Sequence, residues 1–303
     1  MINKIEYENE RGISIELNRD GPLFLFSASG FDGLESDIVS SKSAYQDGIT
    51  ISKTILKDRV LTLNCYLEVD NEQQRDLLKR KLYNAFNPKF KGYMKIYTDA
   101  NRLRGASNLR VVQAPIFDND YSGKNELVSF QVQLIMPLPY FEDMNENKVY
   151  FGDDIGNFAF DLEIEEEGIE LSRKNNSIVT NILNEGDTES PLKVIFKAKS
   201  NVKNPQIYNV YTKEFIKINK TMQAGEEIMV TTGIGDKRVT SYINGVTSNI
   251  FNLLDIQSSF MWLNIGDNII RYDAEELLEQ LEVHIYYTNY YLGVWYGIIC
   301  IKR

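Results

Sequence analysis

The chain has 303 residues, 43% of them hydrophobic and 25% charged, with a formal net charge of −10. That length suits one large or two ordinary domains with a sizeable core, and the acidic balance argues against the basic footprint of a nucleic-acid binder. No apolar run approaches the length of a membrane span, the charged start MINKIEYENERG carries no signal-peptide pattern, and the two cysteines, Cys65 and Cys300, fit neither a disulfide framework nor a zinc site. The expectation is therefore synthesis in a reducing cytoplasm.

In chain order, ISIELN (13–18) and LTLNCYLEV (61–69) alternate as half-buried strands, with Cys65 as a core residue of the second. DNEQQRDLLKRKLYNAFNP then predicts one helix over 71–86. Asp70 is its expected cap, with Gln73 three residues on as in a capping box. Leu78, Leu82, Ala85 and Phe86 form an apolar stripe, Arg75, Lys79, Arg80 and Lys81 crowd much of the rest, and Asn87-Pro88 ends it. SFQVQLIM (129–136) is a strand that Pro137 and Pro139 stop abruptly, followed by Tyr140, Phe141 and two acids. That corner marks the expected boundary between domains at 1–143 and 144–303.

Beyond it the acids between Glu142 and Glu170 read as a solvated face or edge strand, since no EF-hand spacing exists among them. SIVTNIL (177–183) and LKVIFKA (192–198) read as strands. VTSYINGVTSNIF (239–251) reads as a hairpin around the Asn244-Gly245 pair that a type I′ turn prefers. GIGDK (233–237) and NIGDN (264–268) read as turns, and DAEELLEQL (273–281) as a short acidic helix.

The chemistry of a catalyst is not legible. The single histidine, His284, sits in LEVHIYY, where Glu282, His284 and Tyr286 alternate against Val283, Ile285 and Tyr287, as on an ordinary strand face. There is no G-x-S-x-G elbow. Gly233 and Gly235 extend to neither a dinucleotide nor a Walker pattern. A carboxylate pair of the glycosidase kind can be neither located nor dismissed among so many acids. The expected catalytic, cofactor-binding and metal residues are accordingly none. Trp262, Tyr286, Tyr287, Tyr290, Tyr291 and Trp295 offer an alternative reading as a sugar-binding face, although packing is the commoner use of such residues.

Several segments stand in a telling order. They are AYQDGITISKTILKDRVLTLNCYL (44–67), with its Gln46-Asp47-Gly48 turn and Arg59 before an alternating strand, and the helix ending in Asn87-Pro88 before MKIYTD (94–99). The proline-aromatic corner, SIVTNILNEGDTESPLKVIFKA (177–198), FMWLNIGDN (260–268) and YYLGV (290–294) follow. Together they resemble the phage distal tail protein (Dit) family, the siphovirus-type tail components. Nine residues, WYGIICIKR, lie beyond the family's usual ending. The resemblance implies a mainly β chain: an N-terminal β-sandwich or split-barrel-like domain with one α-helix, then a galectin-like β-sandwich that projects outward. It implies a virion structural protein, not an enzyme, of a phage or prophage-derived particle. Its place would be the tail tip, as a homo-hexameric ring joining the tail tube protein to the tail-tip hub and to the adhesion device with its receptor-binding protein. DNA would pass through the lumen without specific nucleic-acid binding, and no membrane or cofactor is implied. The alternative, from another class, is a carbohydrate-binding β-sandwich protein attached to the host cell wall.

Overall fold

The computed structural model describes residues 2–69, 71–98, 103–118, 127–151, 154–156, 172–174 and 178–294. The chain is mainly β and divides into two compact units, Met1–Met144 with Tyr290–Arg303, and Asn145–Asn289. The expected second domain, 144–303, therefore needs a correction: from Tyr290 onward the chain groups with the first unit. The proline corner is a strong local signal, whereas a two-residue closing strand leaves no periodicity to read.

In the first unit the strands are β1 (Ile2–Asn9), β2 (Ser14–Leu17), β3 (Leu23–Ser29), β4 (Ser36–Ser41), β5 (Thr50–Leu56) and β6 (Arg59–Glu68). The helix α1 (Glu72–Ala85) follows, then β7 (Lys91–Thr98), β8 (Leu103–Phe117), β9 (Leu127–Met136) and β10 (Phe141–Asp143). A nine-stranded sheet runs β2-β1-β7-β8-β9-β6-β3, with β10 pairing both β8 and the closing strand Tyr290–Tyr291. β6 and β9 pair antiparallel along their whole lengths, from Arg59 opposite Met136 to Glu68 opposite Leu127. Their strict alternation buries Leu61, Leu63, Cys65 and Leu67 against Phe130, Val132, Leu134 and Met136. A one-residue slip would turn all of these outward, so the pattern fixes the register.

The helix caps one position later than expected: the Asn71 side chain accepts from Gln74 N, and Asp70 lies outside the described residues. Asn71 serves as well because Asn and Asp are near-equal caps. At the other end, Asn9, 3% exposed, donates from Nδ2 to the carbonyls of Asn84 and Ala85 at 3.0 Å each, satisfying acceptors that the last turn leaves free. Phe86 stacks on Tyr7 at 4.5 Å. Gly92 makes room, since a Cβ there would lie 2.3 Å from the Tyr7 hydroxyl. Leu82, Ala85 and Phe86 are buried and Leu78 packs against the same core, whereas Leu77 is exposed.

Leu82→Asp would set a carboxylate in this core without a partner. The expected cost is on the order of 4 kcal/mol, lowering Tm by about 10 °C for a unit of this size. Thermal unfolding followed by circular dichroism checks it, and an unchanged melt would remove the helix from the core.

In the second unit, a seven-stranded sheet runs Asn147–Phe151, Leu281–Tyr287, Ser190–Ala198, Glu227–Thr231, Arg238–Ile243, Val246–Asn249, with Trp262–Leu263 pairing beside Ser190. A four-stranded sheet holds Val179–Asn184, Gly266–Asp273, Gln206–Asn209 and Phe215–Lys217. Their buried faces share one core, with Ile182, Ile207 and Ile270 from one and Val194, Phe196, Val230 and Ile285 from the other. This is a two-layer β-sandwich.

The Asn244-Gly245 turn forms as expected, with φ of 50° and 78° between Ile243 and Val246. At 264–268, Asn268 closes the turn by donating to the Asn264 and Gly266 carbonyls. The expected helix at 273–281 does not form. Asp273 ends a strand, Leu277 is left-handed at φ 60°, and only Leu278–Gln280 makes a 3-10 turn. A single left-handed residue interrupts the helical ladder that the acidic run favoured. Glu226 is fully buried. Desolvation alone would raise its pKa, but bonds from Lys220, Ser241 and the Gln223 amide hold it below the ordinary carboxylate value.

Candidate assembly interface

Among the described residues, the candidates that the sequence raised do not come together as a catalytic grouping. Among the described residues no cluster of His, Cys, Asp or Glu could hold a metal ion. His284 is 8% exposed on its strand, with its ring against Tyr150 at 4.6 Å. Each of the five described aromatics weighed as a sugar face has a packing or hydrogen-bond partner within its own unit. Tyr287 and Tyr291 are buried, with their hydroxyls donating to the Leu183 carbonyl and to Asp143. Tyr290 stacks on Tyr140, Tyr286 lies under Lys193, and Trp262 donates from Nε1 to the Thr232 carbonyl. Trp295 is outside the described residues, as are most of the acids between 152 and 170. Tyr290 and Tyr291 also belong to a different unit from the other described members.

What the structure offers instead is surface. Among the described residues β4 and β5 pair only with each other, as a separate two-stranded arm. Every residue of β4 is exposed, and so is all of β5 except its last. At the arm's turn Gln46 donates to Thr50, and Gly48 takes φ 78°. Alternation with the bulge after Val39 sorts the side chains by face. One face carries Ser36 and Leu56, Ile38 and Thr54, Ser40 and Ile51, with no ionisable group. The other carries Asp37 and Ile55, Val39 and Lys53. Ile38 and Ile51 are 55% and 56% exposed. An isolated two-stranded hairpin is marginal in water, and an uncharged, β-branched edge is a template for association.

The root of the arm is held tightly. The Arg59 guanidinium, 4% exposed, donates to the carbonyls of Gly30 at 2.7 Å, Asp32 at 3.3 Å, Leu292 at 2.6 Å and Pro139 at 3.4 Å. Burial lowers its pKa and Asp32 opposes the shift, so the group stays charged at neutral pH. Gly30 is at φ +86°, and a Cβ there would lie 2.0 Å from the Val60 carbonyl. Only glycine lets the chain turn out into the arm this close to β6.

A second surface is the solvent side of the central strands. The row Ser27–Asn64–Gln131 is bonded across strands, Asn64 Nδ2 to Ser27 at 2.9 Å and Gln131 Nε2 to Asn64 at 2.8 Å. Beside it runs Ser29–Thr62–Gln133–Gln113. Neither row has a charge. α1 packs into the core on the other face of this sheet, with Arg75 paired to Glu72 at 2.8 Å and Lys79 over the Phe117 ring at 4.7 Å.

The described residues form a β-rich chain of two units with an exposed two-stranded arm. Family comparison makes this specific. The phage tail protein RIFT-related domain matches residues 10–180, and the siphovirus-type tail component C-terminal domain matches residues 185–291. The chain belongs to the siphovirus-type tail components, the Dit family, whose members are structural and not enzymes.

The fold is similar to that of the Dit protein of phage SPP1, at a TM-score of 0.66 and 11% identity, covering 94% of this chain and 98% of that one. It is also similar to a chain of the phage p2 baseplate in its activated conformation with Ca, at a TM-score of 0.54 and 10% identity over 95% and 98% of the two chains. For the same baseplate with Sr the TM-score is 0.52 at 10% identity, over 94% and 97%. No curated protein matches the sequence.

Proposed function

We propose that the chain forms a homo-hexameric ring at the tip of a phage tail, joining the tail tube to the tail-tip hub and adhesion device after synthesis in the host cytoplasm. The observation that carries this reading is the arm. Its uncharged face leaves Ile38 and Ile51 more than half exposed, with none of the described residues covering them, and a second copy of the same chain would cover them. Size-exclusion chromatography with light scattering tests it. A mass about six times the 34.9 kDa chain is expected, and a stable monomer at micromolar concentration would overturn it.

The ring contacts then belong to the first unit, and the second unit is carried by it. A fragment spanning 145–289 keeps the whole core of the second unit. It is expected to fold cooperatively and to remain monomeric in the same measurement. Hexamers of that fragment would reassign the interface.

In such a ring the uncharged amide and hydroxyl rows of the central sheet suit the channel wall. DNA is held where cations neutralise phosphates and release counterions. A wall of Ser, Thr, Asn and Gln supplies none, and the cations of α1 lie on the opposite side of that sheet.

A further inference from the structure

Arg59 is shared by three stretches that are remote in sequence: the outgoing root of the arm at Gly30 and Asp32, the proline corner at Pro139, and the C-terminal segment at Leu292. It is itself the first residue of β6, just after the arm returns. All four acceptors are backbone carbonyls, so the guanidinium recognises where the segments lie, not which side chains they carry. A planar donor fork suits such a task, and a lysine point charge does not reproduce it.

The C-terminal segment adds its own closure. Val294 N donates to the Phe31 carbonyl at 3.0 Å, and Gly293 is close enough that a Cβ there would lie 3.5 Å from the same oxygen. Tyr291 and Val294 join the core that contains Phe31, and Phe31 stacks on Phe141 at 5.9 Å, beneath the Arg59 cation. The two roots also meet directly, Lys57 N donating to the Glu35 carbonyl at 3.0 Å. Unseating residues 290–294 would strip the arm root of the Leu292 and Val294 bonds together.

We infer that Arg59 is a positioning residue for assembly: it locks the arm root to the C-terminal segment, so that the arm is held in its docking orientation only while residues 290–294 are seated. This rests on the reading of the arm as the ring contact. The physical reason is entropic. An arm that swings freely must be ordered on association, and that cost is subtracted from the interface. Residues 290–294 are also the last described part of the chain to be made, so an arm locked by them becomes competent only after the second unit has been synthesised.

Full-length Arg59→Lys and, separately, full-length Val294→Pro test this by hydrogen exchange and light scattering. Losing one or two bonds to a charged donor is expected to speed exchange at 30–35, 57–58 and 290–294 by about ten- to a hundredfold. Exchange at 61–67 and 130–134 should not change, and rings should dissociate at protein concentrations where the parent chain stays assembled. A merely structural role would speed exchange across the whole sheet, and that outcome overturns the inference, as does unchanged exchange at 30–35 in both variants. A parent chain that is monomeric with a protected root overturns the ring reading instead, leaving the lock itself to be judged by exchange alone.

Discussion

A chain carrying Ile38→Lys and Ile51→Lys is expected to run as a monomer with the melting temperature of the parent. Both side chains are more than half exposed in the single chain, so replacing them costs the fold little. In a ring each would lie under a neighbour. Burying an isoleucine is worth about 1.5–3 kcal/mol, and a lysine at the same place must also be desolvated. Two such losses at every contact weaken association by at least about a hundredfold, and because each ring repeats the contact around its circumference, closure is lost altogether. Light scattering at a few micromolar reads the mass, and a thermal melt guards against unfolding. Hexamers surviving the double substitution would remove the arm from the interface. The control is Val246→Lys, somewhat more exposed at 63% on the second unit, which should leave the ring intact.

How far these features could be read in advance follows from what each one buries. β6, β9 and the stripe of α1 have one face in a core and one in solvent, so their periodicities are written plainly in LTLNCYLEV, SFQVQLIM and LLKRKLYNAF. The Asn244-Gly245 turn was legible because only a few residue pairs accept two positive φ values. The helix cap moved by one residue because two adjacent residues could both serve. The acidic run 273–281 misled because propensity alone cannot foresee a left-handed Leu277.

The arm was not recognised as an element. In a single chain neither of its faces is buried, so its β-branched residues sort by charge and not by burial, and SDIVSSKSAYQDGITISKTIL shows no clean period. Arg59 was legible only as the arginine before an alternating strand. Its acceptors are carbonyls, which leave no side-chain signature, and one of them arrives from Leu292. The return of the chain from Tyr290 was hidden for the same reason: the closing strand is two residues long.

A ring built from chains with Thr62→Lys and Gln131→Lys is expected to retain double-stranded DNA at physiological salt, and a ring of the parent chain is expected to let it pass. The two sites lie on adjacent strands but are not directly opposed, since Thr62 pairs with Gln133 and Gln131 with Asn64. Repulsion between the new cations is therefore modest, and the lost Gln131 bond costs about 1 kcal/mol. Six copies would add about a dozen cations to the channel wall. If about 6–10 of them reach phosphates, binding should weaken by about 10³–10⁵ between 50 and 200 mM salt. That steep slope separates phosphate neutralisation from any apolar contact. Gln73→Lys, exposed on α1 across the sheet, supplies the comparison: a cation added there should leave DNA unretained. Filter binding across a salt series reads all three rings. Equal retention by the Gln73→Lys ring, or none by the doubly substituted one, would mean that the amide rows do not face the DNA. The uncharged face would then need another occupant, and the neutrality of Ser27, Asn64 and Gln131 would have to be explained by contact with protein instead.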